Sequence, residues 1–176
     1  MKMENANKWK SAATDGLILS AITIAYLLAT SLLPEGMAVI SVFLWILKLT
    51  GCIWLLYWLM KQYSSKFETI EYKSSFAYGV WVSIFSAIVC SCWQYFSMVV
   101  LFPESINNTI EQVVSALSAQ YTDEQMDAIL PILNNLPQIN LFVNLIYFTL
   151  FGLVTSAIIA NFTKKVNPFN DINTAE

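Results

Sequence analysis

The amino-acid sequence predicts an all-α integral membrane protein with four transmembrane helices and a helical external loop between the third and fourth. Three observations predict this fold class. Apolar residues make up 57% of the chain and charged residues only 12%, about half the charged fraction of an average soluble domain. Four segments reach the length of about 20 apolar residues that a spanning helix needs. Eight of the nine lysines fall in alternate connecting segments.

The four apolar segments define the predicted spans, which are 16–33, 37–60, 76–102 and 139–162. Only Pro34-Glu35-Gly36 separates the first two, and this turn sequence predicts an antiparallel hairpin. The third segment holds 27 residues, about 40 Å of helix, so it must tilt or project beyond a hydrocarbon core of about 30 Å. We expect one domain over residues 1–166 and a disordered cytoplasmic tail at 167–176.

The lysines predict the orientation of these spans. Lysine-rich segments precede the first span, join the second to the third and follow the fourth, with Lys2, Lys8, Lys10, Lys61, Lys66, Lys73, Lys164 and Lys165. Loops rich in lysine lie mostly on the cytoplasmic side of a membrane. We therefore expect the chain in a bacterial cytoplasmic (inner) membrane, with both termini in the cytoplasm. A cleavable signal peptide at the N-terminus is the alternative, but cleavage would spoil the even number of spans. Aromatic residues near the predicted inner surface indicate an interfacial belt: Tyr57, Trp58, Tyr63, Tyr78 and Trp81.

The loop at 103–138 contains no lysine and five carboxylates. Helical periodicity predicts a first amphipathic helix with an apolar face formed by Ile106, Ile110, Val113, Val114, Leu117 and Tyr121. Thr122 with Gln125 predicts a capping box for a second helix. Its apolar face is formed by Met126, Ile129, Leu130, Leu133 and Leu136. Pro131 is expected to bend or end that helix.

Small residues at four-residue spacing predict how the spans pack, because they let helix backbones approach closely in lipid. The third span carries Gly79, Ser83, Ala87 and Ser91, and the fourth carries Gly152, Ser156 and Ala160. Contact within one bundle is the favoured interpretation. A homo-oligomer interface is the alternative that these stripes leave open.

Lys48 does not fit a plain bundle, because it lies inside the second span, where a lysine costs about 3 kcal/mol on insertion scales. One interpretation is that the amine snorkels towards the membrane surface, or lies uncharged beside backbone carbonyls and hydroxyls. The other is a binding site for an anion, either a lipid phosphate or an acidic group on a partner helix. Gln94, Asn140 and Asn144 are also polar and intramembrane, and we expect them to form interhelical hydrogen bonds.

The composition also excludes several classes of function. Histidine and arginine are absent, which removes histidine-dependent catalysis and leaves no arginine to read nucleic-acid phosphates. The three cysteines lie within apolar segments and form neither a disulfide framework nor a zinc motif. We therefore predict no catalytic residue, no metal site, no cofactor and no nucleic-acid partner.

Several short motifs, in this order, resemble the bacterial membrane-protein family known as domain of unknown function 4199. They are Lys61-Gln62-Tyr63, Phe76-Ala77-Tyr78-Gly79, Tyr121-Thr122-Asp123-Glu124-Gln125-Met126 and Lys164-Lys165 followed by Pro168-Phe169. The resemblance implies a four-helix protein of the cytoplasmic membrane and carries no established activity. It further implies an association with a glycosyltransferase that acts on a lipid-phosphate carrier.

These observations predict a non-catalytic accessory or scaffold subunit with membrane lipid and a membrane protein as partners, and the family resemblance implies that it serves envelope glycolipid or polymer assembly. The alternative is a small transporter or flippase that binds an anionic lipid-linked substrate at Lys48.

Overall fold

The computed structural model describes residues 2–31, 38–118 and 120–165. Along these residues the chain forms α1 (Lys2–Ser31), α2 (Ala38–Ser65), α3 (Tyr72–Phe96), a π-helical segment (Ser97–Leu101), α4 (Pro103–Ser118), α5 (Asp123–Asn134) and α6 (Leu136–Thr163). The chain is therefore helical almost throughout its described part, as the sequence predicts. The turn at 34–36 and the tail at 167–176 lie outside the described residues.

Four helical stretches are long and apolar enough to cross a membrane. They are Lys8–Ser31, Val39–Ser65, Tyr72–Leu101 and Leu136–Thr163. A helix satisfies its own backbone donors and acceptors, which is what hydrocarbon requires of a spanning segment. The prediction of four spans is confirmed.

The helix boundaries differ from the predicted ones for identifiable reasons. α1 begins at Lys2 rather than at residue 16, because residues 2–15 contain neither proline nor glycine and so nothing interrupts the helix. The third span changes to π-helical geometry at Ser97–Leu101 and stops at Phe102. Pro103 explains this stop, because proline disfavours helical geometry in the preceding residue and is itself well suited to begin α4.

α4 and α5 occupy the segment between the third and fourth spans, and its position outside the cell stays a prediction. The apolar face predicted for α4 is half-buried at Ile106, Ile110, Val113, Val114 and Leu117. On α5, Met126 and Leu133 are buried, whereas Leu130 of the predicted apolar face is 36% exposed. Pro131 lies inside α5, which continues to Asn134, so the helix does not end at this proline; that it bends there stays a prediction.

Two compact units make up the chain: Met1–Ala87 with Phe148–Glu176, and Ile88–Tyr147. The first unit has a hydrophobic core drawn from α1, α2, α3 and α6, with Leu19, Leu59, Tyr78, Val82 and Ile159 among its buried members. In the same unit Ile70 and Lys165 exchange backbone hydrogen bonds of 3.0 and 2.9 Å. This bridge joins the α2–α3 connection to the residue pair that follows α6. In the second unit, Cys90, Ser91, Met126 and Leu133 are buried.

Candidate functional site

The small residues of α3 and α6 meet at a close helix–helix contact in the first unit, which we call the seam. A Cβ atom added at Gly152 would lie 2.6 Å from the Oγ of Ser83, and one added at Gly79 would lie 2.8 Å from the Oγ of Ser156. Both separations are shorter than real contacts, so a larger residue at either position would force neighbouring side chains to shift. The hydroxyls of Ser83 and Ser156 lie 3.5 Å apart. The seam therefore brings together four of the small residues that the sequence places at four-residue spacing, which are Gly79, Ser83, Gly152 and Ser156.

The other small residues at four-residue spacing on α3 and α6 are also buried. Ala160 is fully buried in the first unit, and Ala87 and Ser91 are each 1% exposed. The Oγ of Ser91 has no hydrogen-bond partner among the described residues. Ser91 therefore serves as a small side chain at a tightly packed position. Its hydroxyl packs no better there than a methyl group would.

A polar cluster in the first unit links α1 to α3 and was not foreseen from the sequence. The hydroxyl of Tyr78 donates a hydrogen bond to the carboxylate of Asp15 and lies 2.9 Å from the Oγ of Ser11. The ring of Tyr78 stacks on that of Tyr63 with centroids 3.6 Å apart and planes 5° from parallel. Ser11, Asp15, Tyr63 and Tyr78 form what we call the tyrosine–aspartate cluster.

This cluster corrects the predicted aromatic belt. Tyr78 is fully buried and Tyr63 is 9% exposed, so both belong to the core rather than to the membrane interface. Tyrosine is amphipathic, and sequence position alone does not distinguish an interfacial ring from a buried one whose hydroxyl has a partner. The sequence contains one indication of this cluster. Asp15 is a carboxylate within the span Lys8–Ser31, where it needs a hydrogen-bond donor.

Lys48 lies within the first unit, half-buried on α2. Its Nζ is 5.0 Å from the ring centroid of Tyr26 on α1 and 5.5 Å from that of Phe148 on α6. Both distances are within the range of about 6 Å for cation–π attraction. In the part of the chain that the structure describes, no carboxylate lies within ion-pair distance of this amine. Two aromatic rings therefore lie next to the Lys48 charge.

The depth of Lys48 follows from its position in α2. It lies about 15 Å of helix rise from the first residue of α2 and about 26 Å from the last. Lys61 provides an internal comparison, because its Nζ lies 5.6 Å from the ring of Tyr57 but its side chain is exposed near the end of the same helix. Both lysines thus have an aromatic neighbour, but Lys48 contacts two other helices and lies well inside the span.

The intramembrane amides lie in the second unit. The Asn140 amide nitrogen donates to the sulfur of Met98 at 3.3 Å, which links α6 to the π-helical segment. The Asn144 amide nitrogen donates to Oδ1 of Asn140 at 2.7 Å and to its backbone oxygen at 2.9 Å. Gln94 is half-buried. Asn140 therefore contacts another helical segment, whereas the bonds of Asn144 stay within its own helix.

The chemistry open to these groups is binding and positioning. Within the described ranges, no three His, Cys, Asp or Glu side chains are grouped as metal ligands would be. Cys52, Cys90 and Cys92 are not joined in disulfides, and the sulfur of Cys52 lies 3.8 Å from the hydroxyl of Thr23. The ammonium of Lys48 is the group best placed to attract a ligand of opposite charge, because its three N–H donors have no hydrogen-bond acceptor among the described residues.

A family model described as "Protein of unknown function (DUF4199)" matches residues 12–165 of the chain. No curated protein and no solved structure matches the chain. The matched range includes Lys48, the seam residues and Asp15 with Tyr78, and it reaches from α1 to the residue that bridges to Ile70. The resemblance inferred from the short sequence motifs is confirmed.

Proposed function

The chain belongs to this family, and we propose that it is a non-catalytic integral membrane subunit that binds an anionic group at Lys48. The observation that carries this proposal is the ammonium of Lys48, which lies over the rings of Tyr26 and Phe148 without a carboxylate partner in the described part of the chain. Intramembrane charges are expensive, so they are usually kept for a function.

The geometry around Lys48 favours an anion over a neutral ligand. Each of the two aromatic faces offsets part of the cost of burying the charge, by about 0.5–2 kcal/mol according to how far the contact is desolvated. They leave the N–H donors of the ammonium unpaired, since a ring face accepts only weakly. A phosphate or carboxylate oxygen would supply both the missing charge and the missing acceptor.

The same helix offers a broad apolar surface beside this site. Val39, Phe43 and Trp54 of α2 are 84%, 65% and 64% exposed, and lipid or a partner helix would cover them. The partners we propose are membrane lipid and a membrane protein, in particular a lipid-phosphate glycosyltransferase of envelope glycolipid or polymer assembly. A second copy of the chain is a further candidate partner.

The lysine distribution supports a location for this subunit. We place it in a bacterial cytoplasmic membrane with both termini in the cytoplasm, because lysine accumulates on the cytoplasmic side of spans. On this orientation the side chain of Lys48 leads towards the outer half of the membrane, since helical side chains point towards their own N-terminus.

A small transporter or flippase for an anionic lipid-linked substrate is the second candidate function. The depth of Lys48 favours it, because transporters bind substrates well inside the membrane rather than at its surface. The two candidates share the anion site and differ in whether the bound group crosses the bilayer.

The test compares three variants of the full chain, each tagged and purified in mild detergent. Lys48→Leu removes the charge, Lys48→Glu reverses it, and Lys61→Leu removes a lysine–aromatic pair that lies near the end of the same helix. Mass spectrometry then identifies the lipids and proteins that co-purify. We expect an anionic lipid or an acidic partner to be lost from Lys48→Leu and Lys48→Glu and retained by Lys61→Leu.

Equal recovery from all variants, with each variant folded, would mean that Lys48 binds no anion. If the anion site is present, reconstitution in vesicles separates the two functions. A transporter moves the labelled lipid between leaflets and loses that activity in Lys48→Leu, whereas a scaffold retains its partner without moving lipid.

A further inference from the structure

The second unit contains an open cavity of about 370 Å³. Its lining comes from the π-helical segment, α4 and α6, through Met98, Ile106, Thr109, Leu136, Ile139, Asn140 and Val143. Ile139 and Val143 are 40% and 56% exposed, so the cavity communicates with its surroundings. Its volume lies within the range of about 300–1,000 Å³ that small-molecule sites occupy.

The π-helical segment shapes one wall of this cavity. The backbone N–H of Phe102 donates to the oxygen of Ser97 at 2.8 Å, the bond to the fifth preceding residue that defines a π-helix. This geometry is rare and interrupts the regular α-helical hydrogen bonding, and it is frequently found at functional sites. It places Met98 against Asn140, whose amide nitrogen donates to the methionine sulfur at 3.3 Å.

The polar atoms of Asn140 are already engaged within the second unit. Its nitrogen is directed to Met98, and its side-chain oxygen accepts a hydrogen bond of 2.7 Å from Asn144. Five of the lining side chains are apolar and none is charged. The cavity is therefore suited to an apolar ligand rather than to a nucleotide, a sugar or an ion.

The surroundings of the cavity identify the ligand. Leu136, Ile139, Asn140 and Val143 belong to the first two turns of the span Leu136–Thr163, and Met98 belongs to the span Tyr72–Leu101. At this level of a spanning helix the medium is membrane lipid, which presents single apolar chains at high concentration. We propose that this cavity binds one acyl chain of a membrane phospholipid and holds it as a resident lipid.

This site is separate from the one at Lys48, since its lining contains no residue of the first unit. Its ligand is recognised through the apolar chain and not through the headgroup charge. Lys48→Leu should therefore leave it unchanged, so that either proposal can fail without the other.

The experiment uses the full chain in vesicles of phosphatidylcholine that contain a tracer with a photoreactive diazirine in its acyl chain. After illumination, mass spectrometry locates the labelled residues. We expect labelling to concentrate on Met98, Ile139 and Val143, and to fall at least about tenfold in Val143→Trp, because a filled cavity excludes the chain. Ile146→Trp is the matched control: it adds the same ring to a position on α6 that is 59% exposed and outside the lining, and it should label normally.

Labelling that is spread evenly over α6, and unaffected by Val143→Trp, would show only the ordinary lipid shell and would overturn the proposal. If Val143→Trp does not fold, Ile139→Trp fills the same cavity from the preceding turn.

Discussion

Asp15 on α1 and Lys48 on α2 each place a charged group among the helices of the first unit, but the chain surrounds them differently. Asp15 accepts a hydrogen bond from Tyr78, a fully buried tyrosine that also contacts Ser11 and stacks on Tyr63. Lys48 has two aromatic faces and, among the described residues, no acceptor. One charge has its hydrogen-bond partner within the fold, and the other does not.

The helices also pack more closely around Asp15 than around Lys48. Around the tyrosine–aspartate cluster, a Cβ atom added at Gly16 would lie 2.9 Å from the backbone oxygen of Val82. Near Lys48, a Cβ atom added at Gly51 would meet Ile22 at 3.8 Å, an ordinary contact. A charge that is satisfied inside close packing stabilises the fold, whereas a charge with open donors in looser packing is suited to binding. The difference indicates a structural role for Asp15 and supports the ligand-binding role proposed for Lys48.

The largest effect on stability is expected from changes to Tyr78. Tyr78→Ala removes a buried ring, its stacking on Tyr63 and the donor to Asp15, and should lower the free energy of unfolding by about 3–5 kcal/mol. Tyr78→Phe keeps the ring and removes only the hydrogen bond to a charged group, which should cost about 1.5–3 kcal/mol. Unfolding by a denaturing detergent, followed by tryptophan fluorescence, measures both values.

Tyr147→Ala is the control for this pair, because Tyr147 is 52% exposed and its removal should cost much less. A Tyr78→Phe variant as stable as the original chain would contradict the structural role of Asp15. Asp15→Ala, measured alone and together with Tyr78→Phe, then gives the coupling energy of the two side chains, which measures their hydrogen bond.

A smaller effect is expected from filling the seam. Gly152→Ala places a methyl group where the Oγ of Ser83 lies 2.6 Å away, and such overpacking should cost about 1–3 kcal/mol. Gly51→Ala, close to Lys48 along α2, has room for its methyl group and should stabilise the helix by up to about 1 kcal/mol. The same detergent titration applies. Destabilisation of both variants to the same extent would remove the packing difference between the two regions.

The sequence predicts the spans well because the bilayer sets a length and a polarity that only a few segments meet. The seam glycines and serines were also identifiable, since close approach of helices in lipid requires small residues at regular spacing. The tyrosine–aspartate cluster was not, because Asp15 and Tyr78 are 63 residues apart and their pairing depends on how α1 turns towards α3. The π-helical segment could not be predicted either. Pro103 explains where this segment ends, but no residue pattern indicates where it begins.

The smallest effect on stability is expected at Lys48, and it tests the comparison most directly. Lys48→Leu removes a charge whose burial costs about 3 kcal/mol on insertion scales, together with two cation–π contacts worth about as much when desolvated. Because these contributions nearly cancel, the free energy of unfolding in detergent should stay the same or rise slightly. Thermal unfolding of Lys48→Leu alongside Lys61→Leu measures it. A loss comparable to that of Tyr78→Ala would mean that Lys48 supports the fold as Asp15 does, and the functional distinction between the two charges would then be lost.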